Sequence, residues 1–506
     1  MISLKEPAHT LDAQQDMSLG KLLDGYAEVS PDEDRPIRRL AINSRDVEYG
    51  DVFFAMPGTQ EDGRNYIDHA LERQAAAVVY EKTGTKPRGN QGRKTPVLAI
   101  EGLRDVLGAI ASRYYDHPAR KIRVLGVTGT NGKTTVAYLI AQALDYLGIP
   151  CAYLGTIGTG RVGNLKHASL TTSDSIRLHS MLSEIVQARI PALSMEVSSH
   201  GLDQGRVNGV NFEIGIFTNL SHDHLDYHGT IERYGQAKHR LFEYPGMLAM
   251  VVNTDDAFGR EIVDYCRAET RARCFTYGFN PDAGLCPTSF GLGAHGTVFD
   301  LDLEGVSTRF ESKLIGRFNI LNLLATIGAL QAFGMSTRQI VAAIRDIQPP
   351  PGRMELLQGG DRWPSVVVDY AHTPDALKHA LSSLRELCKG KLVAVFGCGG
   401  ERDTDKRPFM GAIAEEYADH VILTNDNPRR ETPEKIIEGI VSGMRSSPEI
   451  CLDRGKAIQI AIEMSTQSDL VLIAGKGHEN SQVTGNTERE FNDSSWVREQ
   501  LQEAGT

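Results

Sequence analysis

The sequence has little of what marks membrane, secreted or disulfide-stabilised proteins. No apolar run approaches the roughly 20 residues that a membrane-spanning helix needs. The N-terminus lacks a basic region followed by an apolar one, so we expect neither membrane insertion nor export. The seven cysteines are scattered and form no C-x-x-C pair, which argues against a disulfide framework and against a zinc knuckle. We therefore expect a cytoplasmic protein with reduced cysteines.

Basic residues are also in deficit, because 54 lysines and arginines face 65 aspartates and glutamates, which gives a net charge of -11 at pH 7. This balance argues against non-specific binding to nucleic acid or to an anionic membrane. The composition, with 41% hydrophobic and 24% charged residues, is that of an ordinary globular enzyme. A chain of 506 residues is too long for one hydrophobic core and suggests about three domains.

Changes in composition divide the chain into three predicted domains, residues 1–115, 116–350 and 351–506. The second boundary follows from the run Gln348-Pro-Pro-Pro-Gly352, which cannot continue a helix. In the first domain, we expect short strands at residues 51–56 and 76–80 and an amphipathic helix at residues 66–74. The third alternates strands and helices, a pattern that predicts a parallel sheet with right-handed crossovers. Its strands are expected at 366–369, 392–396, 421–424 and 470–474, and its helices at 375–387 and 433–444.

The segment Gly126-Val-Thr-Gly-Thr-Asn-Gly-Lys-Thr-Thr135 carries the strongest functional signal. It follows a strand-like run and opens a helix that stops at Gly148, which is the context that a phosphate-binding loop requires. Its glycines let backbone N–H groups approach phosphate oxygens, Lys133 can reach the terminal phosphates, and Thr134 suits magnesium. The general P-loop spacing requires glycine where Val127 stands, so a glycine-rich turn without a ligand is the alternative.

Three further positions in the central region are chemically informative. Glu196 ends a buried strand, where a carboxylate is costly unless it binds magnesium or is hydrogen-bonded to neighbouring loops. The run from His222 to His228 holds three histidines and two aspartates, which suggests a zinc site or one histidine on magnesium, and the phosphate loop favours magnesium. Lys238, considered alone, would be a surface lysine on an amphipathic helix.

Several motifs together resemble the Mur ligase family of peptidoglycan precursor synthesis. The resemblance runs from about residue 40 to residue 480, and the motifs are Gly129–Thr135, Met195–His200, Thr218–Leu220 with His222–His228, Gly316–Asn322, Asp369–Pro374 and Gly475–Glu479. It implies an α/β fold of three domains: an N-terminal uridine-nucleotide-binding domain, a central P-loop ATPase-like parallel-sheet domain and a C-terminal Rossmann-like domain. It also implies that ATP converts a substrate carboxylate to an acyl phosphate, which the amine of an amino acid then attacks.

The resemblance assigns roles to individual residues. Lys133 would stabilise the transferring γ-phosphoryl group, and Thr134, Glu196 and His224 would hold Mg2+. Lys238 matches a position that is carbamylated by CO2 in the family, a change that replaces a cation with an anion suited to the metal. Asn319 and Asn322 would contact adenine and Asp369 the ribose. The implied ATP-binding set is Gly129, Thr130, Asn131, Gly132, Lys133, Thr134, Thr135, Asn319, Asn322 and Asp369.

Within the family, the chain best resembles members that extend a uridine-linked dipeptide, UDP-MurNAc-dipeptide. Pyrophosphate and carboxylates need hydroxyl and guanidinium donors, which the resemblance assigns to Ser44, Arg45, Thr171, Thr172, Ser199 and Arg206. The stretch Asp426–Arg429 resembles the motif of members that add meso-diaminopimelate rather than lysine. Arg429 would hold the second carboxylate bidentately, although an exposed turn arginine beside Arg430 is the alternative. The implied pocket is Arg402, Asp426, Asn427, Pro428, Arg429, Gly475 and Glu479, with Glu479 facing the distal ammonium.

Other functions stay open at this point. A ligase that adds L-lysine differs at the Asp426–Arg429 motif, and a folylpolyglutamate synthetase would share the ATP residues but lack that motif and the uridine-binding region. A dinucleotide-binding oxidoreductase is suggested by residues 393–402, but Arg402 stands where the fingerprint needs its third glycine. A zinc-bound scaffold is the remaining class. The expected partners are small molecules (UDP-MurNAc-dipeptide, ATP and diaminopimelate) with no nucleic acid, and we expect a monomer.

Overall fold

The computed structural model describes residues 17–58, 61–84, 94–167, 170–293, 296–303, 305–360 and 362–503. Helices and strands are both distributed along these ranges, in agreement with the predicted α/β class. The strands are β1 Leu40–Ala41, β2 Val52–Ala55, β3 Ala77–Glu81, β4 Val97–Ile100, β5 Arg123–Thr128, β6 Cys151–Gly155, β7 Gly158–Arg161, β8 Asn164–Lys166, β9 Ala192–Glu196, β10 Phe212–Phe217, β11 Ala249–Asn253, β12 Arg273–Tyr277, β13 Pro287–Gly293, β14 Gly296–Leu303, β15 Val306–Ser312, β16 Glu355–Leu357, β17 Ser365–Asp369, β18 Leu392–Phe396, β19 His420–Leu423, β20 Glu449–Ile450, β21 Leu470–Ala474, β22 Ser481–Thr484 and β23 Thr487–Glu490.

The helices predicted at 66–74, after the glycine-rich loop, at 375–387 and at 433–444 are confirmed as α2, α4, α12 and α14, with small changes at their ends. They are α1 Leu19–Leu23, α2 Ile67–Glu72, α3 Leu103–Tyr114, α4 Lys133–Tyr146, α5 Ser175–Gln187, α6 Ser199–Asp203, α7 Leu225–His228, α8 Ile231–His239, α9 Ala257–Glu269, α10 Arg317–Phe333, α11 Thr337–Asp346, α12 Pro374–Leu387, α13 Lys406–Tyr417, α14 Pro433–Val441, α15 Arg454–Glu463 and α16 Asp493–Glu503. No helix in the described ranges is both long enough and apolar enough to cross a bilayer.

The chain divides into two compact units. The first comprises Met1–Thr128, Gly148–Gly215 and Glu232–Met250, and the second comprises Gly129–Leu147, Ile216–Ile231 and Val251–Thr506.

The first unit contains two sheets built mainly from parallel strands. Strands β1 to β4 form a parallel sheet in sequential order. In the other sheet, β9 lies between β5 and β6 and is parallel to both, while β6, β7 and β8 form an antiparallel meander. The strand that leads into the phosphate loop, β5, is anchored by the fully buried side chains of Val124, Leu125 and Val127.

The second unit ends in a six-stranded sheet with the order β16-β17-β21-β18-β19-β20. The four strands predicted from the sequence are parallel to their neighbours, whereas the edge strand β16 pairs antiparallel with β17. This addition to the prediction has a simple cause, because only residues 358–364 join β16 to β17 and a parallel pair would need a longer crossover.

Both faces of this C-terminal sheet are buried. In β18, Leu392, Ala394 and Phe396 belong to one hydrophobic cluster, while Val393 and Val395 belong to another on the opposite face. Alternate residues of a strand point to opposite faces, and a sheet covered on both faces therefore needs strands that are apolar throughout. This explains why the strands of the third region appear in the sequence as unbroken apolar runs.

A threonine followed by a proline stands at the start of two helices in this region. Thr373 is the N-cap of α12, where its side chain accepts a hydrogen bond from the Ala376 N–H and Pro374 occupies the first turn. Thr432 is the N-cap residue of α14 and is followed by Pro433, but its side chain makes no capping hydrogen bond. Because α12 starts soon after β17, the polar segment between them lies at the carboxyl edge of the sheet.

Candidate nucleotide and amino-acid sites

The glycine-rich loop opens α4, and its glycines are required by its conformation. Gly129 and Gly132 have φ angles of +148° and +86°, which L side chains rarely adopt. A Cβ at Gly129 would collide with Thr218 Oγ1, and a Cβ at Gly132 would lie 2.6 Å from Asn322 Oδ1. The loop is therefore a backbone cradle at a helix N-terminus, the arrangement that binds phosphate.

A second segment, Thr218–Ser221, fixes the shape of this cradle. Asn219 receives the Thr130 N–H on its carbonyl at 2.8 Å and the Asn131 N–H on its side-chain Oδ1 at 2.9 Å. The Thr218 hydroxyl donates to the Asn131 carbonyl at 2.6 Å. Sequence analysis gave Thr218 and Asn219 no role beyond their place in a motif. The structure shows that they hold the loop.

The predicted phosphate residues Lys133 and Thr134 both lie at the start of α4. Lys133 Nζ donates to the carbonyls of Gly129 at 3.0 Å and Thr130 at 2.9 Å. Thr134 is buried, and its hydroxyl oxygen accepts a hydrogen bond from Arg353 Nη2 at 3.2 Å. The neighbouring Thr135 is buried as well. The ammonium of Lys133 therefore lies over the loop that it is predicted to serve.

Arg353 is a site residue that sequence analysis missed. Its guanidinium lies 4.3 Å from the centre of the Tyr370 ring while bonding Thr134. Its charge also opposes the effect of burial, which raises the pKa of the Asp369 carboxyl. The available signal was an arginine two residues after the last proline of the run Pro349–Pro351. Only the fold shows that this arginine reaches α4 and the end of β17.

Asp369 ends β17, as predicted for the ribose-binding carboxylate, and both of its oxygens are engaged by the backbone. Oδ2 accepts the Met354 N–H at 2.7 Å, and Oδ1 accepts the Ala371 N–H at 2.8 Å. These bonds fix the carboxylate rigidly and offset part of its desolvation. A ribose contact would therefore add to an already hydrogen-bonded group.

The two predicted adenine residues lie at the N-terminal end of α10 and are both buried. Asn319 Nδ2 donates to the Ile315 carbonyl at 2.8 Å, and Asn322 Nδ2 donates to Asn319 Oδ1 at 2.8 Å. The structure thus brings Asn322 against Gly132 of the loop. The adenine contact itself stays a prediction.

Asn131 connects the loop to the start of α12. Its Nδ2 donates to Asp375 Oδ2 at 3.1 Å, and Asp375 Oδ1 lies 3.3 Å from His379 Nε2. The hydrogen bond with His379 lowers the pKa of Asp375, and the same contact raises the pKa of His379. The carboxylate that holds Asn131 is therefore kept ionised.

Glu196 is fully buried at the end of β9 in the first unit. Its Oε1 accepts hydrogen bonds from the Tyr153 hydroxyl at 2.5 Å and the Thr156 N–H at 2.8 Å. These bonds satisfy the carboxylate within the protein, which is one of the two interpretations of Glu196 from the sequence, and magnesium binding by this residue stays a prediction. The Thr156 hydroxyl also lies 3.0 Å from Thr171 Oγ1, and Thr172 Oγ1 donates to the Glu196 carbonyl at 3.0 Å.

The other predicted uridine-peptide residues also lie in the first unit. Arg206 Nη1 donates to the Thr172 carbonyl at 2.9 Å, so Arg206 lies beside the group around Glu196. Ser199 is buried at the start of α6. Ser44 is buried, with its hydroxyl 3.0 Å from His69 Nδ1, whereas Arg45 is exposed. The structure thus joins Thr171, Thr172 and Arg206 to Glu196 and leaves Ser44 and Arg45 in the N-terminal sheet region.

Lys238 is not a surface lysine. It is 1% exposed in α8, and its ammonium lies 4.1 Å from the centre of the Tyr234 ring. Lys238 lies four residues after Tyr234, so helical periodicity places it on the same face as that buried ring. The interpretation as a surface lysine followed from the residue type, and the burial of Lys238 shows that it is wrong.

His224 belongs to the second unit and is half-exposed. Its φ angle is +53°, and its Nε2 lies 3.5 Å from Asp223 Oδ2. His228, by contrast, is buried beside Tyr227. Within the ranges that the structure describes, no three His, Cys, Asp or Glu side chains form a group that could hold a metal by themselves. The zinc and the magnesium interpretations of the histidine run both stay predictions.

The predicted amino-acid pocket forms at the carboxyl edge of the C-terminal sheet, where the loops after β18, β19 and β21 meet. A Cβ at Gly399 would lie 3.1 Å from Arg429 Nη1, 3.7 Å from Arg402 Cγ and 3.9 Å from Asp426 Oδ1. Ligands of open parallel sheets bind at this edge. The three charged residues, which are distant in sequence, are thus neighbours.

The rest of the predicted pocket joins this group. A Cβ at Gly475 would lie 2.6 Å from Asp426 Oδ2, and Asn427 Nδ2 donates to Glu479 Oε2 at 2.8 Å. A Cβ at Gly400 would lie 2.0 Å from the Pro428 carbonyl oxygen, so the two loops are in close contact there. All seven predicted residues therefore lie in one cluster.

Arg429 has the environment of a pocket residue. It is half-buried while Arg430 is exposed, and its Nη1 donates to the Gly400 carbonyl at 2.9 Å. Its φ angle of +52° is unusual for an L residue and costs roughly 1 kcal/mol. Backbone bonds to the β22 hairpin hold this conformation, including Arg429 N–H to the Val483 carbonyl at 3.1 Å.

A buried ion pair, which the sequence did not indicate, supports the loops after β19 and β21. Arg454 and Asp493 have fully buried side chains and lie 2.7 Å apart. Arg454 also donates to the carbonyls of Asn425 at 3.2 Å and Ala474 at 3.0 Å, the residues just before Asp426 and Gly475. A buried pair is tolerated only when its remaining donors are satisfied, and here that requirement fixes both loops.

Three family descriptions match successive parts of the chain. Residues 36–115 match "Mur ligase family, catalytic domain", residues 127–330 match "Mur ligase middle domain", and residues 352–477 match "Mur ligase, glutamate ligase domain".

Individual relatives agree with these matches. A Coxiella burnetii protein named "UDP-N-acetylmuramoyl-L-alanyl-D-glutamate--2,6-diaminopimelate ligase" is 44% identical over 462 residues, which cover 90% of this chain and 94% of that protein. A solved structure of a ligase with the same name has a TM-score of 0.71 at 34% identity, covering 97% of this chain and 99% of the other. A folylpolyglutamate synthase of Mycobacterium tuberculosis has a TM-score of 0.59 at 17% identity and covers 73% of this chain and 91% of its own, which shows a shared fold alone.

The conformation of the glycine-rich loop gives a first prediction. We expect Gly132→Ala to weaken binding of a non-hydrolysable ATP analogue by about tenfold or more, because about 1 kcal/mol of backbone strain is added to the collision with Asn322. Gly148→Ala is the matched control, since Gly148 has a φ of +79° with nothing within 4 Å of its Cβ position. Calorimetric titration of both variants measures the difference, and equal affinities would contradict the role given to Gly132.

Proposed function

The chain belongs to the Mur ligase family, and from this premise we propose that it is the ATP-dependent ligase that joins meso-2,6-diaminopimelate to UDP-N-acetylmuramoyl-L-alanyl-D-glutamate. The cluster of Arg402, Asp426 and Arg429 beside Asn427 and Glu479 is the observation that carries this proposal. It offers guanidinium groups for a second carboxylate and a carboxylate for a second ammonium, and diaminopimelate carries both.

The proposed reaction has two steps. An oxygen of the D-glutamate side-chain carboxylate attacks the γ-phosphorus of ATP, and ADP leaves, giving an acyl phosphate. The amine of diaminopimelate then attacks the carbonyl carbon, phosphate leaves, and the new amide nitrogen loses a proton. Phosphoryl transfer of this kind depends on positioning and electrostatic stabilisation more than on covalent work by the protein. The product would be a peptidoglycan precursor, which links the enzyme to cell-wall biogenesis, cell shape and division.

The chain's own residues supply the positioning. The cradle at Gly129–Gly132 suits the phosphates of ATP, because its backbone is held open by Thr218 and Asn219. Lys133 and Arg353 lie at the same helix start and suit the negative charge of the transferring group. Asn319, Asn322 and Asp369 are proposed to bind the nucleoside.

Magnesium is proposed to be held by Thr134, Glu196 and His224, and when bound it neutralises phosphate charge. The Thr134 hydroxyl and the Glu196 carboxylate support this proposal, because each is an oxygen ligand of the kind that magnesium prefers. The uridine nucleotide and its peptide are proposed to be bound by Thr171, Thr172, Ser199, Arg206, Ser44 and Arg45.

We also propose that the chain has three domains, with boundaries near residues 116 and 350. We further propose that the protein is a monomer and works in the cytoplasm.

Lys238 is proposed to react with CO2 to form a carbamate, with loss of one proton. Burial supports this, because an amine without water loses the hydration that stabilises its protonated form, and the neutral amine is the species that adds CO2. The carbamate carries a negative charge and two oxygens, and it would serve the magnesium site as a carboxylate does.

A direct assay tests the function. Purified protein given ATP, magnesium and UDP-MurNAc-dipeptide should release ADP and phosphate in equal amounts only when diaminopimelate is added, with one amide formed for each ADP. We expect kcat/KM for diaminopimelate to exceed that for L-lysine by about tenfold or more, because lysine leaves Arg429 unpaired. A preference for lysine would support the lysine-adding alternative, and turnover with a folate and glutamate would support a folylpolyglutamate synthetase.

Arg429 is predicted to select the amino acid. Arg429→Ala should raise the KM for diaminopimelate about tenfold to a hundredfold, since a charged hydrogen bond contributes roughly 1.5 to 3 kcal/mol, while the KM for ATP stays unchanged. Arg430→Ala is the matched control, because Arg430 is the exposed neighbour. Steady-state kinetics with each substrate varied in turn measure both effects, and a normal KM for diaminopimelate in Arg429→Ala would refute the pocket assignment.

Lys238 is predicted to be needed in its carbamylated form. Lys238→Ala should lose nearly all turnover and regain part of it with short carboxylic acids, which can replace the carbamate. Lys238→Arg, which keeps a cation that cannot add CO2, should stay inactive. Protein equilibrated with 13C-labelled bicarbonate should show a carbamate NMR signal that Lys238→Arg lacks. Full activity in Lys238→Ala, or the same signal in both proteins, would overturn the carbamate.

A further inference from the structure

Lys476 is a buried cation in the amino-acid cluster to which neither motif nor composition assigned a role. It follows Gly475 in the loop after β21, and its side chain is fully buried. Its Nζ donates to Glu479 Oε2 at 2.8 Å, to the Ser481 carbonyl at 2.6 Å and to Asn427 Oδ1 at 3.4 Å. An ammonium has three donors, so all three are used within the pocket wall.

The two side chains that Lys476 joins both belong to the predicted diaminopimelate pocket. Asn427 Nδ2 also donates to Glu479 Oε2 at 2.8 Å, so Lys476, Asn427 and Glu479 form a closed triangle of hydrogen bonds. Asn427 is further fixed by the Val483 N–H, which its Oδ1 accepts at 2.9 Å. Asn427 therefore has an anchor besides Lys476, whereas Glu479 depends on this triangle for its orientation.

The two oxygens of the Glu479 carboxylate have different surroundings. Oε2 receives Lys476 and Asn427, while Oε1 has no hydrogen-bond partner among the residues that the structure describes. The side chain of Glu479 is 32% exposed, so one oxygen is tied to the wall and the other is open to a ligand. A carboxylate with one oxygen fixed in this way accepts an ammonium at a defined position.

We propose that Lys476 is a positioning residue that aims Glu479 at the distal ammonium of the incoming amino acid and thereby makes the enzyme select substrates with a second amine. This inference rests on the proposed function. Arg429 is assigned to the distal carboxylate of the amino acid and Glu479 to its distal ammonium, so separate residues bind these two groups. Lys476 itself touches no substrate, and it acts through Glu479.

The charge of Lys476 matters as well as its hydrogen bonds. Glu479 and Asp426 bring two carboxylates to a partly buried pocket, and such charges are costly without compensation. Lys476 compensates Glu479 from the wall side and leaves the open side for the substrate cation. Without it, Asn427 is the single remaining donor to Oε2, and the carboxylate is free to turn toward water.

The test compares two substrates that differ only at the distal amine. 2-Aminopimelate keeps both carboxylates of diaminopimelate and lacks the second amine. In Lys476→Met, which keeps the length of the side chain but removes its charge and donors, we expect kcat/KM for diaminopimelate to fall about tenfold to a hundredfold. The value for 2-aminopimelate should change by less than about threefold, and the KM for ATP should stay unchanged. The preference for diaminopimelate over 2-aminopimelate therefore falls.

Two comparisons separate this role from a merely structural one. If Lys476 acts through Glu479, then Lys476→Met should add little to the effect of Glu479→Gln in a double-mutant cycle. Lys389→Met is the matched control, because Lys389 is an exposed lysine of the same sheet region, and it should behave as wild type. Additive effects in the cycle, or an equal loss for both substrates, would overturn the positioning role.

A second variant covers the case in which Lys476→Met does not fold. Lys476→Gln retains donors without the charge, so it should lose part of the preference for diaminopimelate, and an unchanged preference would refute the inference. Failure of the proposed function has a different signature, because wild-type protein would then release no ADP with diaminopimelate. Activity in wild type with unaltered selectivity in the lysine variants counts against Lys476 alone.

Discussion

The hydrogen bonds between the glycine-rich loop and the Thr218–Ser221 segment are the constraint on which the nucleotide site depends. A loop with φ angles of +148° and +86° at its glycines has no regular secondary structure to hold it, so its backbone groups must find other partners. Asn219 meets this need with both its carbonyl and its side chain. Because the loop is held from outside, its remaining N–H groups keep one arrangement, and a phosphate would meet donors that are already ordered.

In the C-terminal sheet, the loops of the amino-acid pocket are likewise held by other parts of the protein. Parallel strands bring their carboxyl ends to one edge, so loops more than 70 residues apart, at Arg402 and Gly475, become neighbours. The loops are then fixed from below by Arg454, which bonds the carbonyls of Asn425 and Ala474, and from the side by Lys476. Two buried cations thus order the pocket wall, while the arginines at the surface of the cluster stay available for an anionic substrate.

Net charge and local charge have different consequences in this protein. The overall excess of acidic residues argues against polyanionic partners, yet the second unit places Lys133, Arg353, Arg429 and Lys476 at its predicted ligand sites. Each is held by carbonyls, hydroxyls or carboxylates of the protein. Desolvated cations need such partners, and the same partners fix their direction. An acidic protein can therefore bind several anionic groups at defined places without attracting nucleic acid in general.

The sequence by itself indicated the four parallel strands β17, β18, β19 and β21, the helices α12 and α14, and the glycine-rich loop between a strand and a helix, because apolar runs, prolines and glycine spacing are local signals. The seven residues of the amino-acid cluster were implied by the resemblance to the Mur ligase family. Tertiary structure alone decided that Arg353 reaches Thr134 and that Arg454 and Lys476 hold the pocket loops. Helical periodicity places Lys238 on the same face as Tyr234, but only the fold shows that this face buries a lysine. The physical reason is that burial and hydrogen-bond partners depend on segments far apart in the chain, and a single sequence does not record which of those segments meet.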